Sequence, residues 1–72
     1  MIEARVLVIA LDAFLAAKRE AGLEDGSVSE EAREAFLGSV SAAPAETWRQ
    51  EGIEPRLRTM ALNSIVKVRT KR

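Results

Sequence analysis

The most continuous apolar run in the chain covers residues 5–17, RVLVIALDAFLAA, where only Arg5 and Asp12 are not apolar. Two periodicities compete for it. Read as a strand, VLVIAL followed by Asp12 resembles a buried parallel strand with a carboxylate at its carboxyl end. Read as a helix, it runs on into AFLAAKREAG, which is rich in strong helix formers. At 100° per residue Ala4, Leu7, Leu11, Phe14 and Leu15 share one side. Val6, Ala10, Ala13 and Ala17 lie beside them, and Val8 sits at the far edge. The polar strip of Arg5, Asp12, Ala16 and Arg19 is narrow. A parallel sheet needs several strand–helix–strand units of ~30 residues each, and no second buried strand follows. The helix is therefore the better reading, over residues 2–21. A helix apolar around most of its girth must be covered around most of its girth.

The pattern then breaks and restarts three times. Lys18 and Arg19 suit the negative end of this first helix. Gly22 suits its C′ position, with Leu23 folding back against Ala17 and the Lys18 stem. Asp25-Gly26 is turn chemistry. A second, short helix is expected over 30–40, with Ser27 or Ser29 as N-cap and Glu30 and Glu31 in its first turn. Ala32, Ala35, Phe36 and Val40 form its stripe, and Gly38 weakens it by ~1 kcal/mol relative to alanine. A third helix, AETWRQE, is expected after Pro44 at N1. It should end at Gly52, with Trp48 and Ile53 meeting as the C3 and C″ pair of a Schellman ending. A fourth helix opens with Pro55 at N1 and carries Leu57, Met60, Ala61, Ser64, Ile65 and Val68 on its main face. Thr59, Leu62 and Val66 fall opposite. The end, IVKVRTKR, is β-branched enough to compete as an edge strand; the helix is preferred up to Val68, with the last residues frayed.

Composition narrows what such a chain can be. Its 72 residues make a single helical domain, and so small a chain buries only ~60% of its unfolded surface. With no cysteine there is neither a disulfide nor a thiolate metal site to stabilise it. Association is the remaining common route. The apolar run is too short to span ~30 Å of hydrocarbon and carries Asp12 near its middle, so no membrane segment is expected. Glu3 and the following KRE argue against a signal peptide, and a cytoplasmic protein is expected. The charges cancel overall but not locally. Residues 1–54 hold 11 acids and 5 bases, whereas residues 55–72 hold 6 bases and no acid.

Catalytic means are scarce. There is no histidine, cysteine or tyrosine, so the usual nucleophile–base pairs and imidazole or thiolate metal ligands are missing. The acids cluster in the solvated stretch 20–34, and the four glycines form no phosphate loop. The chain is accordingly expected to be no enzyme and to need no cofactor. Asp12, set among apolar neighbours, reads either as a specificity contact to a partner chain or as a group paired or exposed within its own chain. Trp48 is the largest piece available to the core and also a candidate anchor for a partner. Arg56, Lys67 and Lys71 flank one edge of the last helix's apolar face, Arg58 and Arg69 the other, with Arg72 nearer the middle. Core-flanking cations with buried stems are ordinary; phosphate binding by this basic end is the functional alternative. A helix–turn–helix about Gly52 fits poorly, because Thr47, Glu51 and Arg58 take inward positions, and no base-stacking aromatics accompany the cations.

The sequence thus points to an all-α fold: a long apolar N-terminal helix packed by three shorter helices and completed by dimerisation. The expected role is a small non-enzymatic protein–protein interaction module, an adaptor, accessory subunit or regulator of the compact kind that phages and mobile elements encode. Its partners are a second copy or another protein, met through Ile9, Asp12, Trp48, Leu62 and Val66. The alternative is a small nucleic-acid-binding protein using Arg56, Arg58, Lys67, Arg69, Lys71 and Arg72.

Overall fold

The computed structural model describes residues 3–24 and 26–71 and is all-helical. Three α-helices pack together: α1 (Ala4–Glu20), α2 (Gly26–Ala42) and α3 (Ile53–Lys71). A five-residue 3₁₀-helix, η1 (Ala45–Arg49), links α2 to α3. α3 lies against both other helices, while α1 and α2 meet over a smaller area. The expectation of one long helix served by three shorter ones is therefore corrected. α1 and α2 have 17 residues each, and α3, with 19, is the longest.

The strand reading of residues 5–17 gives way to helix, and α1 ends as its sequence requires. Gly22 has φ +65°, a conformation glycine adopts without steric cost. Its N–H donates to the Arg19 carbonyl at 3.1 Å, and Leu23 N–H donates to the Lys18 carbonyl at 3.0 Å. Those two bonds are the Schellman pair, and Leu23 is buried behind them. Of the expected start of this helix, Ile2 lies outside the described residues, as does Asp25 of the expected turn.

α2 begins earlier than expected and runs straight through Gly38, so Ser27 and Ser29 stand inside it rather than capping it. Phe36 and Val40 are both buried, one on each side of Gly38. Their packing outweighs the ~1 kcal/mol propensity cost of the glycine. Of the expected stripe, Ala32, Phe36 and Val40 are buried, but Ala35 is exposed.

The third α-helix is replaced by η1, which stops at Arg49 ahead of an extended Gln50. Gly52 does take a positive φ of +73°, yet it turns the chain into α3 instead of closing a Schellman motif. Ile53 is the first residue of α3. Short 3₁₀ turns are common connectors, and here the tryptophan anchors one: Trp48 Nε1–H donates to the Val40 carbonyl at 3.2 Å. Pro55 falls third in α3, still among the first-turn residues whose N–H groups have no helical acceptor. α3 then continues to Lys71, so the β-branched end is helix and not an edge strand.

The core runs along the centre of the bundle. Phe14 of α1 and Phe36 of α2 stack with ring centroids 5.8 Å apart and planes inclined by 22°, an arrangement aromatic pairs favour. Leu57, Ala61, Ile65 and Val68 of α3 fill the space between the helices. Two arginines tie the ends together. Arg5 Nη2 donates to the Trp48 carbonyl at 3.0 Å, and Arg69 Nη2 donates to the Ala21 carbonyl, just past the end of α1, at 2.9 Å. The second bond places a cation at the negative end of the α1 dipole.

Candidate interaction surface

α1 buries Val6, Ala10, Ala13, Phe14 and Ala17. Of the side shared by Ala4, Leu7, Leu11, Phe14 and Leu15, only Phe14 is buried: Ala4, Leu11 and Leu15 are exposed, and Leu7 is half-buried, so the helix is not covered around most of its girth. The reason lies in the size of the neighbours. A helix apolar on nearly every side gives no polar face from which to infer its orientation, and packing decides instead. The small stripe Ala10, Ala13, Ala17 lets α1 lie close to α3, where Ala61 is also fully buried.

The consequence is a second, outward apolar stripe. Val8 is 61% exposed, Leu11 37% and Leu15 52%. With Ala4 they form a 4, 8, 11, 15 series, while the buried stripe is 6, 10, 13, 17. Both are heptad-spaced seams. They are two residues apart, which at 100° per residue puts them on opposite faces. The outer seam is bordered on one side by Arg5, Asp12 and Arg19, all exposed. Lys18, half-buried, closes its far end.

The expected interface residues are placed unevenly. Asp12 is exposed and makes no side-chain hydrogen bond or ion pair among the described residues, so it is free to face a partner. Val66 is 59% exposed on the outer side of α3. Ile9 and Leu62 are less open: both are half-buried and packed against the core. Trp48 takes the core position its size suggests, buried and with its indole N–H already bonded. Val8, Leu11 and Leu15, which the sequence reading places on the apolar girth of the helix but not among the expected contacts, are the exposed ones. The signal was present in the coincidence of two heptad series, one of large and one of small side chains.

The cations of α3 do not converge. All five described ones are exposed. Arg58 pairs with Glu54 at 3.8 Å across one helical turn, and Arg69 is held on Ala21. Lys67 borders a shallow depression with Ala35 and Ser39 of α2, so it faces the opposite flank from Arg69. Arg56 shares that α2-side edge by helical position, Lys71 stands at the helix end, and Arg72 lies outside the described residues. At the other end of the bundle a notch of about 130 Å³ is lined by Glu3, Val6, Val40 and Trp48 among others. That is small for an organic substrate. Among the described residues no cluster of three potential metal ligands occurs, and no helix is long and apolar enough to cross a membrane. Compared with known proteins, the chain matches no family model, and no curated protein or solved structure is significantly similar to it.

Proposed function

We propose that the chain is a small, non-enzymatic protein–protein interaction module of the cytoplasm, an adaptor or accessory subunit, and that it docks through the outer face of α1, with a second copy as its first partner. One observation carries this reading: three large aliphatic side chains, Val8, Leu11 and Leu15, stand in line on a helix face turned away from the core. Single exposed apolar residues are ordinary, but a contiguous row edged by charge is the pattern of a docking surface. Asp12, with no internal partner among the described residues, adds a polar contact that orients whatever binds. The nucleic-acid alternative draws less support, since the α3 cations divide between two flanks and two of them have internal acceptors.

The test is Leu11→Lys. The variant keeps a helical circular-dichroism spectrum, because Leu11 is outside the core. It loses association, whether measured as self-association by light scattering or as capture of host proteins on immobilised chain. A variant that associates as well as the wild type moves the docking face elsewhere.

A further inference from the structure

The geometry points to an antiparallel α1–α1 seam between two copies, in which the exposed Asp12 of each chain meets Arg5 of the other. This inference rests on the docking face assigned above and adds its occupant, direction and register.

Three ways of laying the seam against itself can be compared by what they do with the charges beside it. In the first antiparallel register Val8 lies level with Leu11 of the second copy, and Ala4 with Leu15. Every layer is apolar. The flanking positions then bring Asp12 beside Arg5 of the second copy, twice by symmetry. In the alternative antiparallel register Leu11 lies level with Leu15, but Val8 then meets Lys18. Asp12 also faces Asp12, and Arg5 faces Arg19, so like charges are juxtaposed. A parallel pairing sets Asp12 against Leu7 and Arg19 against Phe14, which is already in the core. Only the first register gives every charge at the rim an opposite neighbour or open solvent.

Arg5 is suited to its part. One of its nitrogens is fixed on the Trp48 carbonyl at 3.0 Å, which orders the guanidinium and leaves further donors for a carboxylate. The seam, at 1.5 Å per residue from Ala4 to Leu15, is only about 17 Å long. That length gives a weak dimer, populated in proportion to concentration.

The experiment is charge exchange followed by sedimentation equilibrium from micromolar to millimolar chain. Asp12→Arg alone replaces both ion pairs with arginine–arginine contacts and weakens the homodimer by about tenfold, as does Arg5→Glu alone. Mixed, the two variants form a heterodimer of wild-type strength, because each mismatch is repaired by the other chain. The natural absence of cysteine allows a second readout. Ala4→Cys and Leu15→Cys chains cross-link to each other on mild oxidation, whereas each alone stays uncross-linked, its two sulfurs held about 17 Å apart along the seam. Self-cross-linking of either variant, or a dimer indifferent to charge exchange but abolished by Leu11→Lys, overturns the register and leaves the docking face standing. A wild-type chain that stays monomeric at millimolar concentration overturns the second copy as occupant.

Discussion

The two faces of α1 are both apolar and do opposite things. The inner face, Val6, Ala10, Ala13 and Ala17 with Phe14 at its flank, is built mostly of small side chains and is covered. The outer face, Val8, Leu11 and Leu15, carries larger aliphatic side chains than the alanine stripe and is open to solvent. If burial simply followed hydrophobicity, the leucines would be inside. They are not, because a bundle of three short helices gains more from close approach along an alanine stripe than from holding α1 and α3 apart on leucines. Close approach multiplies contacts among backbone and Cβ atoms, each worth only ~0.1–0.2 kcal/mol but numerous. The leucines are then surplus to the monomer, and surplus aliphatic surface in a line is what an interface is built from.

The sharpest way to break this contrast is to enlarge the inner stripe. Ala10 is fully buried, so Ala10→Leu forces α1 off its neighbour and costs ~1–3 kcal/mol. For a domain of this size that lowers the melting temperature by roughly 4–8 °C per kcal/mol. Thermal and urea unfolding followed by circular dichroism would show it. An Ala10→Leu chain as stable as the wild type would mean that the inner face is loosely packed and that the two faces are not distinct.

A second measurement separates packing from helix propensity. Gly38 is exposed within α2, has no positive φ, and a Cβ there would meet nothing within 4 Å. Gly38→Ala should therefore stabilise the chain by up to ~1 kcal/mol with no new tertiary contact. The midpoint of urea unfolding should rise while its slope stays constant. A fall in stability would place Gly38 in a role that its open surroundings do not indicate.

These outcomes bear on what the residues alone could convey. The helical class and the ending at Gly22 and Leu23 were legible, because each rests on local chemistry: propensity, a glycine free to take positive φ, a cation in the last turn. The burial of Phe36, Leu57, Ile65 and Val68 was legible from stripes with a clear polar side. The orientation of α1 was not, since a helix with almost no polar side carries no periodic signal to choose between a large and a small face. The half-burial of Ile9 and Leu62 was not legible either, since each sits between a buried stripe and an exposed one. Trp48 was legible as core through its size. The η1 form was not, because it depends on the bond from the indole to Val40, which crosses from one element to another.

The arginine clamp offers an effect similar in size to that of Gly38→Ala and opposite in sign. Arg69→Met keeps most of the aliphatic stem and removes the donor to Ala21. The loss should be about 0.5–1.5 kcal/mol, typical of one hydrogen bond with a charged donor near solvent. Amide exchange should quicken around residues 18–23, where α1 closes. Arg58→Met, which removes only an exposed pair with Glu54, should cost less than ~0.5 kcal/mol. Equal losses would show that Arg69 stabilises by its stem and not by its bond.

The smallest effect is the most informative about the outer face. Leu15 is half-exposed and points away from the core, so Leu15→Gln removes little from the folded monomer. The expected change is within ~0.5 kcal/mol, the range of surface substitutions that leave caps and buried groups intact. The measurement must be made at two concentrations, because stability that includes a dimer depends on protomer concentration. At low micromolar chain, wild type and variant should unfold at nearly the same temperature. At millimolar chain the wild type should gain stability from pairing, and the variant should gain much less, having put a polar amide where Leu15 would meet Ala4 of the second copy. The difference between the two concentrations isolates the outer face from the inner one. If Leu15→Gln instead destabilises both samples equally, Leu15 contributes to the monomer's own packing, and the division of α1 into a folding face and a docking face fails at that residue.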